Sequence, residues 1–144
     1  MNEQFIQRIE NSFKLLAPRG EELVDRFYAN LFARHPELRP LFPADMKSQK
    51  SKLLAALVLV VKSLRDPDNL RAALLGLGAR HEEIGTREEH YPVVRDTLVD
   101  VMGQIAGTAW SSQLHDDWTA AIDFVASVMI EGQKATAASC SPEN

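Results

Sequence analysis

Few side chains in this sequence combine a chemically useful group with an inward position. Of the four histidines, His81 follows Leu70, Leu74 and Leu77 at helical spacing. It therefore extends the apolar stripe of its helix and points inward near that helix's end. An inward imidazole is either a core histidine satisfied by one hydrogen bond or a metal ligand, and imidazole is the commonest such ligand. The other three sit differently. His35 precedes a proline at a helix end, His90 lies in a loop among Glu88, Glu89 and Tyr91, and His115 neighbours Asp116 and Asp117. Each of these reads as a solvated surface residue.

The same test selects two more polar side chains. Tyr28 shares a stripe with Val24, Phe27 and Leu31, and Gln49 stands one turn before Leu53 at the head of another. Singly, a core tyrosine or a glutamine near a helix start is unremarkable. Together with His81 they make inward polar groups on three different helices of an otherwise apolar bundle. Buried polar groups need partners, and a small diatomic guest would give Tyr28 and Gln49 something to donate to.

The elements that must position these residues are all helical. Phe5, Ile9, Phe13 and Leu16 repeat at helical spacing until Pro18-Arg19-Gly20 breaks the run. The stripe through Tyr28 runs up to Pro36. Prolines at 36, 40 and 43 then allow only a short helical turn and an irregular corner. A long helix is expected over about Ser48 to Leu64, with Leu53, Leu57 and Val60 inward. Asp66-Pro67-Asp68 closes it and starts the helix of His81, with Pro67 near a first helical position and Gly85 ending the region. Pro92 opens a further helix carrying Val94, Leu98, Val101 and Ile105. The last begins near Ser111-Ser112, which are good N-cap residues, and carries Trp118, Ile122, Val125 and Met129, fraying beyond Lys134. No strand alternation and no internal repeat is found. The expectation is an all-α domain of six or seven helices over residues 1–138, with 139–144 as a flexible tail.

Bulk properties narrow the function. In 144 residues, 45 % are hydrophobic, enough for a real core. The net charge of −4, with Lys and Arg scattered, argues against a nucleic-acid partner. The polar start Met1-Asn2-Glu3-Gln4 lacks the layout of a secretion signal. The longest apolar run, Leu53 to Val61, is too short to span a bilayer. A cytoplasmic protein without a membrane partner is expected. The one cysteine, Cys140, cannot form an internal disulfide.

Three segments resemble a known family. Phe27-Tyr28-Ala29-Asn30-Leu31-Phe32 is followed by His35-Pro36-Glu37 and Leu41-Phe42-Pro43. Gln49 stands with Leu53. Leu77-Gly78-Ala79-Arg80-His81 leads to Gly85 and His90-Tyr91-Pro92-Val93-Val94. Over about Phe5 to Gln133 the chain is similar to bacterial single-domain globins, relatives of the haem domain of flavohaemoglobins. The resemblance implies a globin fold around a haem, with His81 as the proximal iron ligand. It implies Phe42 wedged against the porphyrin at the corner, Tyr28 and Gln49 as the distal pair, and Leu53 and Val94 packed on the ring. Tyr91 would stand beside His81 and orient it. No CxxCH occurs, so the cofactor would be haem b, held non-covalently.

One position departs from the flavohaemoglobin pattern. Those proteins carry a glutamate in the last helix that pairs with the tyrosine and the proximal histidine. Counting from Trp118 puts Gln133 in that place, with Glu131 two residues earlier on a different face, and which of the two is the partner stays open. A neutral amide pushes less electron density toward the iron than a carboxylate, which argues against peroxidase-like chemistry. The function implied is reversible binding of dioxygen, and of other diatomic gases such as nitric oxide and carbon monoxide, with high oxygen affinity and no catalytic residue of its own. The alternative is nitric oxide dioxygenation served by a separate reductase. Oligomeric state and the physiological gas stay open.

Overall fold

The computed structural model describes residues 2–83 and 88–139, with the side chains of 79–83 and 136–139 outside that description. Six α-helices carry the described residues: α1 (Glu3–Leu16), α2 (Gly20–Arg34), α3 (Lys47–Ser63), α4 (Pro67–Glu83), α5 (His90–Ala106) and α6 (Ser112–Ser139). Short 3-10 turns join several of them, at Ala17–Arg19, Pro36–Leu41 and Gly107–Ala109. The all-α expectation holds.

Local chemistry explains the boundaries. The Asn2 side chain caps α1 by accepting from the Phe5 amide at 2.8 Å. The proline-bearing turn Pro36–Leu41 follows α2, because Pro36 and Pro40 cannot supply the amide hydrogens that an α-helix needs. Gly107 ends α5 with φ at +59°, the one positive φ among the described residues and a conformation that suits a residue without Cβ.

Two boundaries differ from the sequence expectation. His90, expected in a loop, is the first residue of α5, so that helix opens before Pro92 instead of at it. The last helix, expected to fray beyond Lys134, continues to Ser139; small residues such as Ala135, Thr136 and Ala137 do not stop a helix already nucleated upstream.

The helices share one core. Ile9, Phe13 and Leu16 of α1 pack with Leu23, Phe27 and Leu31 of α2, Leu57 and Val60 of α3, Leu70 and Leu74 of α4, Leu98, Val101 and Met102 of α5, and Trp118 and Val128 of α6. Polar ties fix α1 against α6. The Trp118 indole donates to Ser12 Oγ at 2.9 Å, and Ser12 donates to the Ile9 carbonyl at 3.0 Å. Arg8 grips the buried Asp117 carboxylate with both Nε and Nη2, and its guanidinium holds Asp117 below the ordinary aspartate range.

The most intimate helix pairing is α4 on α6. A Cβ placed on Gly78 would overlap the Met129 carbonyl oxygen, and one on Gly132 would overlap the Leu75 carbonyl oxygen. Backbone therefore packs on backbone at both positions, which sets α4 close against α6 over the stretch leading to His81.

Candidate functional site

The polar pair expected from sequence is assembled. Tyr28 of α2 is buried at 4 % exposure, and the amide Nε2 of Gln49, in the first turn of α3, donates to its hydroxyl oxygen at 3.2 Å. Two contacts bring α3 to α2. Gly20 lets the Leu54 side chain come within 2.9 Å of where a Cβ would stand, and Lys50 pairs with Asp25 at 3.0 Å. Burial pushes the Tyr28 phenol above its ordinary pKa, opposed in part by the Gln49 hydrogen bond. Tyr28 therefore stays a neutral O–H donor at physiological pH. Among the described residues its hydroxyl hydrogen meets no acceptor.

Aromatic side chains pack around the Tyr28 ring. The Tyr28 ring stands edge-on to Phe27 at 4.8 Å and to Phe42 at 5.7 Å, and Phe32 lies 5.3 Å from Phe42. Phe42, Leu53, Tyr91 and Val94 are all partly buried and packed against the core, so each keeps part of an apolar surface uncovered. These are the residues expected to touch a flat apolar group.

Between α5 and α6, the Tyr91 hydroxyl donates to Gln133 Oε1 at 2.8 Å, with Gln133 buried. Glu131 faces outward and pairs with Arg71 of α4. Of the two residues left open by the sequence, it is Gln133 that bonds Tyr91, while Glu131 is turned to Arg71. His81 lies within α4, but its side chain falls outside the described residues, as does Gly85.

The remaining histidines behave as surface residues in two cases. His115 is exposed, 3.5 Å from Asp116, and His35, 3.8 Å from Glu37, is half-buried at the end of α2 with its ring still reaching solvent. His90 is half-buried at the start of α5, a correction to its reading as a solvated loop residue.

Sequence reasoning missed two features. Arg39 donates to three successive carbonyls at the corner, those of Phe42, Pro43 and Ala44. An arginine between prolines carries no sequence signal for that role. The Gly78 and Gly132 crossing had a weak one, since a glycine inside a helical pattern can mark a close approach.

The chain belongs to the globin family, whose profile matches residues 25–129. A flavohemoprotein of Halalkalibacterium halodurans is 26 % identical over 93 % of this chain and 33 % of that protein. One from Deinococcus radiodurans is 33 % identical over 83 % of this chain and 30 % of that protein. The chain thus spans about one third of the length of these relatives. Among solved structures, an engineered carbene transferase matches with a TM-score of 0.87 and 28 % identity, covering 96 % of this chain and 97 % of that one; it derives from a Rhodothermus marinus protein proposed to be a nitric oxide dioxygenase. A bacterial globin from Campylobacter jejuni superposes with a TM-score of 0.84 at 24 % identity, over 95 % of this chain and 99 % of that one, which supports the fold.

Family membership makes this a haem globin. The described residues fit such a group on their own terms. A buried phenol with an uncommitted proton and a primary amide lie beside partly uncovered Phe42 and Leu53, the donor set and apolar walls that a flat apolar cofactor carrying a small polar guest requires. No described helix is long and apolar enough to cross a membrane.

Proposed function

We propose that this chain binds dioxygen reversibly at a non-covalently held haem b, with Tyr28 and Gln49 on the ligand's side and His81 as the protein's iron ligand. The observation that carries the reading is the buried Tyr28 hydroxyl, bonded to Gln49 at 3.2 Å yet with no acceptor for its own hydrogen among the described residues. When bound, haem would supply an iron atom with one position open to a diatomic molecule. Phe42, Leu53 and Val94 would pack on the porphyrin and exclude water. Tyr28 would donate its proton in a hydrogen bond to the guest's outer atom, where negative charge gathers, and Gln49 would hold the phenol or donate through its amide. Each such bond is worth about 1–2 kcal/mol, on the order of tenfold in affinity. Two donors favour slow release and tight retention over rapid delivery.

Around His81, Tyr91 and Gln133 would form a neutral hydrogen-bonded pair. A carboxylate there would draw the imidazole proton and strengthen electron donation toward the metal. The amide does not, which favours a carrier over peroxide chemistry.

A second reading rests on the 28 % identity to the Rhodothermus marinus protein and on the flavohemoprotein relatives. Nitric oxide and dioxygen combine to nitrate with uptake of one electron, so repeated turnover requires a reductase. We take that reductase to be a separate protein and the cytoplasm to be the compartment. We take residues 1–138 as the domain and 139–144 as its tail. Nitrate formed per haem, measured with and without an added reductase, separates the readings. Stoichiometric nitrate that reductase does not raise supports the carrier; many turnovers with reductase would replace it by the dioxygenase.

A further inference from the structure

We infer that Arg39 is a positioning residue for the haem-facing aromatic wall, holding the corner at 42–44 so that Phe42 stays against Tyr28 and Phe32. The inference rests on the proposed function, in which Phe42 lies against the porphyrin.

The corner has little means of holding itself. Pro40 and Pro43 have no amide hydrogen to give, and Phe42 is already extended, with φ at −118° and ψ at 153°. Its amide bonds the Arg39 carbonyl at 3.1 Å, closing the 3-10 turn. The carbonyls beyond are taken by one side chain. Arg39 Nη1 donates to the Phe42 oxygen at 3.1 Å and the Pro43 oxygen at 2.9 Å, and Nη2 donates to the Ala44 oxygen at 3.1 Å. A planar guanidinium with donors in a fixed fork can span such a set; a single ammonium cannot do so in the same way.

The same guanidinium lies over the Phe32 ring at 5.1 Å, and Phe32 belongs to α2. The cation therefore fixes the corner's backbone and fastens it to the helix that carries Tyr28. Phe42 sits between, edge-on to Phe32 at 5.3 Å and to Tyr28 at 5.7 Å. Without Arg39, three carbonyls turn to solvent and Phe42 is free to swing. Two things then change together: the grip on the porphyrin and the packing that aims the Tyr28 hydroxyl.

The test compares haem-loaded parent, Arg39→Ala, Arg39→Lys and Ile9→Val, the last a buried α1 position that lowers stability away from the corner. Haem release to an excess of a haem-free acceptor globin is timed, and the C–O stretching band of each carbon monoxide adduct is recorded. Arg39→Ala should release haem on the order of tenfold faster and broaden the band. Arg39→Lys, which keeps the charge and loses the fork, should fall between Arg39→Ala and the parent. Ile9→Val should lose thermal stability with the parent's release rate and band. Release from Arg39→Ala indistinguishable from the parent overturns the inference, as does equal acceleration in Ile9→Val. A parent that takes up no haem overturns the proposed function as well, and shows in the parent alone.

Discussion

The Tyr91 hydroxyl donates to Gln133 Oε1 across 2.8 Å and ties the start of α5 to the buried face of α6. The nearby carboxylate, Glu131, is turned away to Arg71. Among the described residues, the acceptor of the Tyr91 hydroxyl is therefore an uncharged amide. Gly132, beside Gln133 in sequence, packs so tightly on the Leu75 carbonyl that it leaves no room for a Cβ.

Exchanging that acceptor for a charged one should be felt at the metal. Gln133→Glu preserves shape and adds a carboxylate where Tyr91 and, in our reading, the proximal imidazole converge. The haem reduction potential is expected to fall by on the order of 60 mV, a tenfold shift in a one-electron equilibrium. Spectroelectrochemical titration of both proteins measures it, and equal potentials would separate Gln133 from the metal.

Removing the phenolic donor should weaken retention of the guest. Tyr28→Phe keeps the ring contacts with Phe27, Phe32 and Phe42 and deletes only the hydroxyl. The oxygen dissociation rate is expected to rise about tenfold, the worth of one hydrogen bond to a charged atom. Stopped-flow release gives the answer, and an unchanged rate would remove Tyr28 from the ligand's side.

The buried phenol also predicts a pH dependence of stability. Burial raises the Tyr28 pKa in the folded chain above the ordinary value of 10.0. The unfolded chain therefore loses this proton first as pH rises. The Tyr28 contribution is complete below about pH 10 and is lost as pH climbs through the folded value. Thermal midpoints compared at pH 8 and above about pH 10 should show the parent losing stability relative to Tyr28→Phe at the alkaline end. A constant gap at both would place the phenol in a solvated setting.

Two glycines of α4 should respond oppositely to the same change. Gly78→Ala pushes a methyl group into the Met129 carbonyl, and should cost about 1–3 kcal/mol and loosen haem retention. Gly76 has nothing within 4 Å of its missing Cβ, so Gly76→Ala should stabilise the helix by about 0.5–1 kcal/mol. Denaturant unfolding of the two variants reads both, and similar effects would contradict the backbone crossing.

The sequence made the helices legible because each carries an apolar stripe of correct period, and Tyr28 stood out as a polar group on one. Gln49 was legible for the same reason, and the structure joins the two. The Arg39 clamp was not, since its partners are backbone carbonyls, which leave no trace in residue types. The start of α5 was misplaced because Pro92 reads as a first helical residue, whereas His90 and Tyr91 take helical geometry ahead of it. The α4–α6 contact left only a weak trace: glycines interrupt the α4 pattern at both 76 and 78, and only Gly78 marks a close approach.

The central claim is that His81 holds the iron of a haem. The most direct measurement is the absorption spectrum of ferrous, haem-loaded His81→Gly protein, recorded before and after adding imidazole. The account predicts a Soret band displaced and weakened relative to the parent, returning toward the parent's position as imidazole fills the deleted side chain's place. A variant whose spectrum matches the parent without imidazole would contradict it.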